Sequence, residues 1–143
     1  SYTAKAPLKN IPPPRVETIR DTIIGDKRQI TIHLTPQRPI NRLDVFTNDV
    51  KVLKASINNI ELPPYFLENR PSTKLVSHFV SNNDSTLLEC TISKGDELEL
   101  SIYESSNDLL ENPLFSVPHR PEDNIPMPFV LNDAIIVTKK IKF

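Results

Sequence analysis

Residues 86–103 read TLLECTISKGDELELSIY, and this stretch decides the fold class. In its first half Leu88, Cys90 and Ile92 occupy every second position, and apolar and polar residues also alternate in its second half. Strict alternation is typical of a β-strand with one buried face. Between the halves, Gly95 lies in a short polar turn. The stretch therefore predicts two half-buried strands joined by a tight connection.

Further segments of the chain alternate in the same way. They are residues 16–24, 29–35, 41–47, 50–57, 73–80 and 134–143, and a hairpin signal around Gly25 separates the first two. Short connections favour antiparallel pairing, because parallel neighbours need crossovers of about a dozen residues or more. We therefore predict an all-β fold of about eight strands, an antiparallel two-sheet sandwich of Ig-like or jelly-roll-like type. The best helical candidate is a single turn at residues 105–111.

The chain carries 14 prolines but only two glycines. Proline is excluded from helix interiors and central strands, so it collects in connections and at strand ends. Here it clusters at residues 12–14, at 63–64 and between 113 and 128. The polar start of the chain has no periodicity, which predicts a linker at residues 1–14 and one sandwich domain at residues 15–143.

Composition argues against several classes of partner. The 143 residues suit one domain, and 17 basic against 18 acidic side chains leave a net charge of −1. Such a balance offers no field of one sign that would attract nucleic acid or an anionic membrane. No apolar run approaches the roughly 20 residues of a membrane span. We expect no nucleic-acid partner, and membrane attachment only through helices upstream of this stretch.

The residue types that carry catalysis and metal binding form no known motif. His33, His78 and His119 lack metal-ligand spacing, and the carboxylates are scattered along the chain. Cys90, the only cysteine, lies on an apolar strand face. A buried inert thiol is expected there, because a nucleophile needs exposure and a base. We predict no catalytic residue, no bound metal and no cofactor.

Two places are candidates for interaction or anchoring. Tyr65 and Phe66 follow a proline pair, and their rings either form a small exposed patch or, as we expect, cap one end of the sandwich. The proline-rich loop at residues 109–129 is expected to be ordered and to carry the domain's interaction. In it, Phe115 and Met127 would anchor the loop on the sandwich. Arg120 would pin a turn by a hydrogen bond or ion pair, or alternatively bind a partner.

Several segments of residues 29–143 carry a resemblance to a known family. They are residues 30–39 (ITIHLTPQRP), 52–60 (VLKASINNI), 97–106 (ELELSIYESS) leading into Leu109 and Leu110, and Arg120-Pro121 followed by 125–128 (IPMP) and a final strand. In this order they resemble the C-terminal β-sandwich domain of membrane-anchored zinc exopeptidases of the aminopeptidase Y type (clan MH). In that family the sandwich follows a peptidase domain and several membrane helices.

The resemblance implies an additional domain of a peptidase that lacks the peptidase's metal-binding and catalytic residues. The family's His-x-Asp metal strand and its Glu-Glu pair are absent, and Asn107-Asp108 replace a glycine of its loop. The implied function is a non-catalytic accessory domain of a larger membrane-anchored zinc metallopeptidase, supporting folding or positioning a partner or substrate. The implied partner is the parent's own peptidase domain or another protein. The implied location is the extracytoplasmic, periplasmic side of a bacterial membrane.

Two other classes of function stay open at this point. A free-standing module that binds carbohydrate or peptide would need a clustered exposed aromatic patch or a ligand-sized groove. An enzyme with an unrecognised site would need a strongly perturbed carboxylate or histidine in a pocket.

Overall fold

The computed structural model describes residues 11–107 and 135–143. Within them the chain forms β1 (Arg15–Ile24), β2 (Lys27–Thr35), β3 (Arg42–Thr47), β4 (Lys54–Ile57), β5 (Ile60–Glu61), α1 (Pro64–Glu68), β6 (Lys74–Phe79), β7 (Thr86–Ser93), β8 (Glu99–Ser106) and β9 (Ile135–Lys142). The strands form a five-stranded sheet, β1-β2-β7-β4-β5, and a four-stranded sheet, β6-β3-β8-β9. All described pairs are antiparallel. The prediction of an all-β antiparallel two-sheet sandwich is therefore confirmed.

The core lies between the two sheets and follows from the alternation of apolar residues. Its buried members include Ile30, Ile32 and Leu34 of β2, Leu88, Cys90 and Ile92 of β7, and Leu98, Leu100 and Ile102 on or just before β8. Burial of one such aliphatic side chain contributes about 1.5–3 kcal/mol to folding. The inward positions predicted for residues 86–103 are confirmed.

The connection between β7 and β8 crosses from one sheet to the other. β7 pairs with β2 and β4, whereas β8 pairs with β3 and β9. At the crossing, the backbone N–H of Lys94 donates to the Asp26 carbonyl at 2.8 Å, and that of Asp96 donates to the Ser93 carbonyl at 3.0 Å. Because both strands carry an apolar face, placing them in opposite sheets buries each face against the other.

The short helix does not lie where the sequence predicted one. Ser105 and Ser106 continue β8 as extended strand, so the helical turn predicted at residues 105–111 is wrong in its described part. The helix is α1, which begins at Pro64. Proline is favoured at the first helical position because its missing N–H needs no partner there and its fixed φ suits a helix.

The strand predicted at residues 50–57 is shorter, and a further strand follows it. β4 begins only at Lys54. Asn58 and Asn59 then adopt φ angles of 48° and 66°, and Ile57 pairs with Ile60 across them. Positive φ at both central residues is typical of the type I′ hairpin turn, and asparagine tolerates it better than most residues. This turn produces β5, which the sequence analysis did not anticipate.

The start of the described chain is attached to the sandwich. Residues 11–14 have no regular secondary structure, and Pro14 is buried. The side-chain amide of Gln37 donates to the carbonyl oxygen of Pro13 at 2.7 Å. Residues 1–10 lie outside the described part of the chain, so the linker at residues 1–14 stays a prediction.

Cys90 is expected to resist thiol reagents in the folded protein. Its side chain is 2% exposed, and burial raises the pKa of the thiol to about 12, so the reactive thiolate is scarce. The native protein should label slowly, and the denatured protein should label at its one cysteine. Cys90→Ala should cost about 1 kcal/mol in urea unfolding. Rapid labelling without denaturant would contradict the burial.

Candidate functional site

The outer surface of the four-stranded sheet gathers aromatic and basic side chains from all four of its strands. Leu43 and Val45 of β3 are buried in the core, so Arg42, Asp44 and Phe46 lie on the opposite surface. Directly paired residues in antiparallel strands share a face, which extends this surface across the sheet. We call it the aromatic face, and it comprises Arg42, Asp44, Phe46, Lys74, Ser77, Phe79, Tyr103, Ser105, Ile136 and Lys140.

Two rings pack against each other at one end of the aromatic face. The centroids of Phe46 and Tyr103 lie 5.2 Å apart, and their planes make an angle of 73°. This edge-to-face arrangement is one that aromatic pairs prefer. The ammonium group of Lys74 lies 6.0 Å from the centroid of the Phe46 ring, within the range of a cation–π contact. The pair is half-buried and presents a mixed aromatic and cationic surface.

The other end of the aromatic face is open to solvent. Phe79 is 64% exposed and Ile136 is 51% exposed. The guanidinium carbon of Arg42 lies 6.0 Å from the centroid of the Phe79 ring. The paired residues of this row are, in order, Phe79, Arg42, Ser105 and Ile136, so Arg42 adjoins Phe79 and the buried Ser105 separates it from Ile136.

Asp44 holds the cations of the aromatic face in position. It is 5% exposed, and its carboxylate accepts hydrogen bonds from Ser77 Oγ at 2.5 Å and from Arg42 Nε at 2.9 Å. Lys74 Nζ lies 3.3 Å from the same carboxylate. Burial alone would raise the pKa of Asp44, but the hydrogen bonds from Ser77, Arg42 and Lys74 outweigh it and lower the pKa. The two cations are thus held beside their rings by a buried carboxylate.

The predicted candidates Tyr65 and Phe66 lie on α1 and diverge in their environments. Phe66 is half-buried and packs against the core. Tyr65 is 78% exposed. The two rings therefore do not form a joint exposed patch.

The other predicted residues fall outside the described part of the chain. Arg120, Phe115 and Met127 belong to residues 108–134, as does the whole loop at residues 109–129. Their roles as anchors or contact residues stay predictions.

One strongly perturbed carboxyl group lies in the core, away from the aromatic face. Glu104 follows Ile102 at the next inward position of β8 and is 0% exposed. Neither of its carboxyl oxygens has a hydrogen-bond partner among the described residues. Burial raises its pKa to about 7, and the nearby charge of Arg38 opposes this shift. A fully enclosed carboxyl group has no path to a substrate, so its position does not favour the enzyme hypothesis.

Sequence reasoning missed the aromatic face, although each of its rings left a signal. In their alternating strands, Phe46 and Tyr103 occupy positions on the face that otherwise carries polar residues, and Phe79 is the last residue of such a strand. An aromatic residue on the polar face of a strand predicts an exposed or half-exposed ring. The convergence of the rings was not visible, because it depends on strand pairing that joins residues far apart in the chain.

Further observations limit the chemistry available to residues 11–107 and 135–143. No group of three or more histidine, cysteine, aspartate and glutamate side chains in these ranges is arranged to hold a metal ion. None of the helical structure described there has the length and apolarity needed to cross a bilayer. Comparisons with protein-family models, with curated proteins and with solved structures found no match to the chain.

Proposed function

We propose that this chain is a non-catalytic accessory domain that binds another protein through the aromatic face. The observation that carries the proposal is the row Phe79–Arg42–Ser105–Ile136, in which Arg42 contacts the Phe79 ring and the side chains of Phe79 and Ile136 are exposed. Aromatic residues and arginine dominate the binding energy of protein interfaces. The network around Asp44 holds the cations in place, which lowers the entropy cost of binding.

The charge of the aromatic face indicates the chemistry of its partner. Asp44 balances only one of the two cations, Arg42 and Lys74, that contact it. On the same surface Lys140 adds another positive charge and is exposed. We therefore propose that the partner presents an apolar patch with an acidic rim, because complementary charges speed association and exclude wrong partners.

The resemblance of residues 29–143 supports a narrower form of the proposal. In the family that these residues resemble, a sandwich of this kind follows the membrane helices of a zinc exopeptidase. We propose that the parent is such a membrane-anchored peptidase, and that the partner is its own peptidase domain or another protein. Under this proposal the chain lies on the extracytoplasmic, periplasmic side of a bacterial membrane.

A carbohydrate- or peptide-binding module is the second candidate, and the geometry favours it less. Sugar sites stack pyranose rings on flat aromatic surfaces, whereas the rings of Phe46 and Tyr103 stand at 73° to each other. A polar groove of about 160 Å³ on the five-stranded sheet is smaller than a typical ligand pocket of roughly 300–1,000 Å³. A groove of about 340 Å³ beside Arg70 is large enough. In that groove the guanidinium of Arg70 already donates to Thr47 Oγ1 and to the Val50 carbonyl, so these hydrogen bonds hold the protein together and are not directed at a ligand.

A binding measurement tests the proposed function. Under the narrower proposal the coding sequence upstream of this chain encodes the peptidase domain, which is produced separately and titrated into this chain by calorimetry. Phe79→Ala and Ile136→Ala are each expected to raise Kd by about tenfold or more, because exposed side chains in the centre of an interface carry most of its energy.

Tyr65→Ala is the matched control, because Tyr65 is an exposed aromatic residue outside the aromatic face. Its Kd should equal that of the wild type. Equal losses in the Tyr65 and Phe79 variants would contradict the assignment of the surface. An upstream sequence that encodes no peptidase would overturn the narrower form of the proposal.

A further inference from the structure

Strand β1 is open to solvent on both of its faces. Nine of its ten residues are exposed, and only Val16 is partly buried. Three isoleucines, Ile19, Ile23 and Ile24, are exposed by 55%, 56% and 58%. Exposure on both faces is unusual for a strand with three large apolar residues, because burial of such side chains is the main favourable contribution to folding.

One edge of β1 pairs with β2, and the opposite edge meets no strand among the described residues. A free edge presents unpaired backbone N–H and C=O groups, which accept an added strand. At ten residues β1 is the longest of the described strands, so its free edge offers a long ladder.

A bulge in β1 changes which of its side chains share a face. Glu17 pairs with His33 and Arg20 pairs with Thr31, while Ile19 is skipped in the register. His33 and Thr31 lie on the same face of β2, because they are two residues apart. Glu17 and Arg20 therefore also share this face, although residues three apart in a regular strand point in opposite directions.

These two side chains are charged and available for a partner. Arg28 holds Asp21 through two hydrogen bonds of 2.7 Å, so Asp21 is already paired. Glu17 and Arg20 form no ion pair with any residue in ranges 11–107 and 135–143.

We propose that the free edge of β1 pairs with the same edge of a second copy of the chain, antiparallel and across a two-fold axis. In this arrangement Glu17 lies opposite the partner's Arg20, and the axis repeats the contact with Arg20 opposite the partner's Glu17. Directly opposed residues of opposite charge stabilise an antiparallel pair. The two five-stranded sheets thereby join into one continuous sheet.

The charges distinguish this register from its neighbours. A slide of two residues in one direction brings Arg15 opposite the partner's Arg20, which is repulsive. A slide in the other direction brings Glu17 opposite the partner's Thr22, which removes both ion pairs. A slide of one residue sets side chains of the two faces against each other across the bulge. Charges on an edge strand usually prevent pairing, and among the registers within two residues of each other these charges favour the one that sets Glu17 opposite Arg20.

Sedimentation equilibrium of the purified chain tests the proposal by a charge swap. The wild type is expected to form dimers that weaken as salt screens the ion pairs. Glu17→Arg and Arg20→Glu each turn two attractions per dimer into two repulsions, so the dimer Kd should rise at least about tenfold. The double variant Glu17→Arg/Arg20→Glu restores opposite charges and should recover the dimer.

Two controls keep the outcome clear. Circular dichroism should show that all variants are folded, because the altered side chains are exposed; a variant that unfolds is replaced by Glu17→Gln or Arg20→Gln. Phe79→Ala lies on the other sheet and should leave the dimer unchanged, which separates this proposal from the proposed partner surface. A wild type that is monomeric at every soluble concentration overturns the proposal, and so does a dimer whose Kd is insensitive to the swap.

Discussion

Glu104→Gln is expected to stabilise the folded protein by about 3 kcal/mol at pH 8 and to change its stability little at pH 4. Glu104 is 0% exposed, neither carboxyl oxygen has a hydrogen-bond partner among the described residues, and burial raises its pKa from 4.5 to about 7. An ionised carboxylate in such a position has lost its hydration without replacement. Glutamine has nearly the same shape and carries no charge at any pH.

The direction of the pH dependence follows from the raised pKa. Between the ordinary value of 4.5 and about 7, the folded chain binds the Glu104 proton while the unfolded chain releases it. Stability of the wild type is therefore highest below that range, falls as pH rises through it, and is level above it. In Glu104→Gln this fall should be absent.

Urea unfolding of both proteins at pH 4, 6 and 8 measures the difference. Glu99→Gln is the matched control, because Glu99 lies on the same strand and its exposed side chain pairs with Lys142 at 3.2 Å. An exposed ion pair contributes about 1 kcal/mol or less, so this variant should follow the wild type closely. If the free energy of unfolding changes with pH in the same way in wild type and Glu104→Gln, then Glu104 is not a buried group that ionises in this range.

Glu104 also shows where reading the sequence stops. The alternation of residues 97–103 correctly predicted that Leu98, Leu100 and Ile102 face inward. Continued by two residues, the same period places Glu104 in the core, but a charged residue at that position reads as the end of a strand. The folded protein buries Glu104 in spite of the cost. Whether it does so depends on the residues that pack against this position from other strands, and the local sequence pattern does not contain them.

The candidate site was less predictable than the fold for a related reason. Alternation and turn residues identify strands, because they reflect local geometry. The aromatic face instead depends on strand order, which brings Phe79 of β6, Arg42 of β3 and Ile136 of β9 into one row. The β7–β8 connection illustrates the same limit, since its short turn does not reveal that the strands enter different sheets.

Arg38→Ala is expected to destabilise the protein by about 3 kcal/mol, because charge-assisted hydrogen bonds of a partly buried arginine are lost together. Arg38 lies between β2 and β3, and its guanidinium donates to Ser106 Oγ at 2.5 Å and to the carbonyl oxygens of Glu104 and Ile135 at 2.9 and 3.4 Å. It thereby ties this connection to both β8 and β9. We predicted a pinning role for Arg120, and Arg38 fills such a role in the described structure.

The loss should be larger at pH 8 than at pH 4, because the positive charge of Arg38 lowers the pKa of Glu104 and partly offsets its burial. Without Arg38, the pKa of Glu104 should rise further above its ordinary value, and the fall in stability should extend to higher pH. Urea unfolding of Arg38→Ala, Glu104→Gln and the double variant forms a cycle that isolates this coupling. In the double variant the pH-dependent part should vanish, while the loss of the hydrogen bonds remains.

Arg28→Ala is the control for the removal of an arginine as such. Arg28 also makes two short hydrogen bonds, but to Asp21 at the surface of the β1–β2 hairpin. A pair in that position contributes about 1 kcal/mol or less to stability. Its removal should leave unchanged the fall in the free energy of unfolding with pH that Glu104 causes. If Arg38→Ala costs no more than Arg28→Ala, Arg38 does not hold the two sheet strands to the connection. If its cost is the same at pH 4 and pH 8, the charge of Arg38 does not act on Glu104.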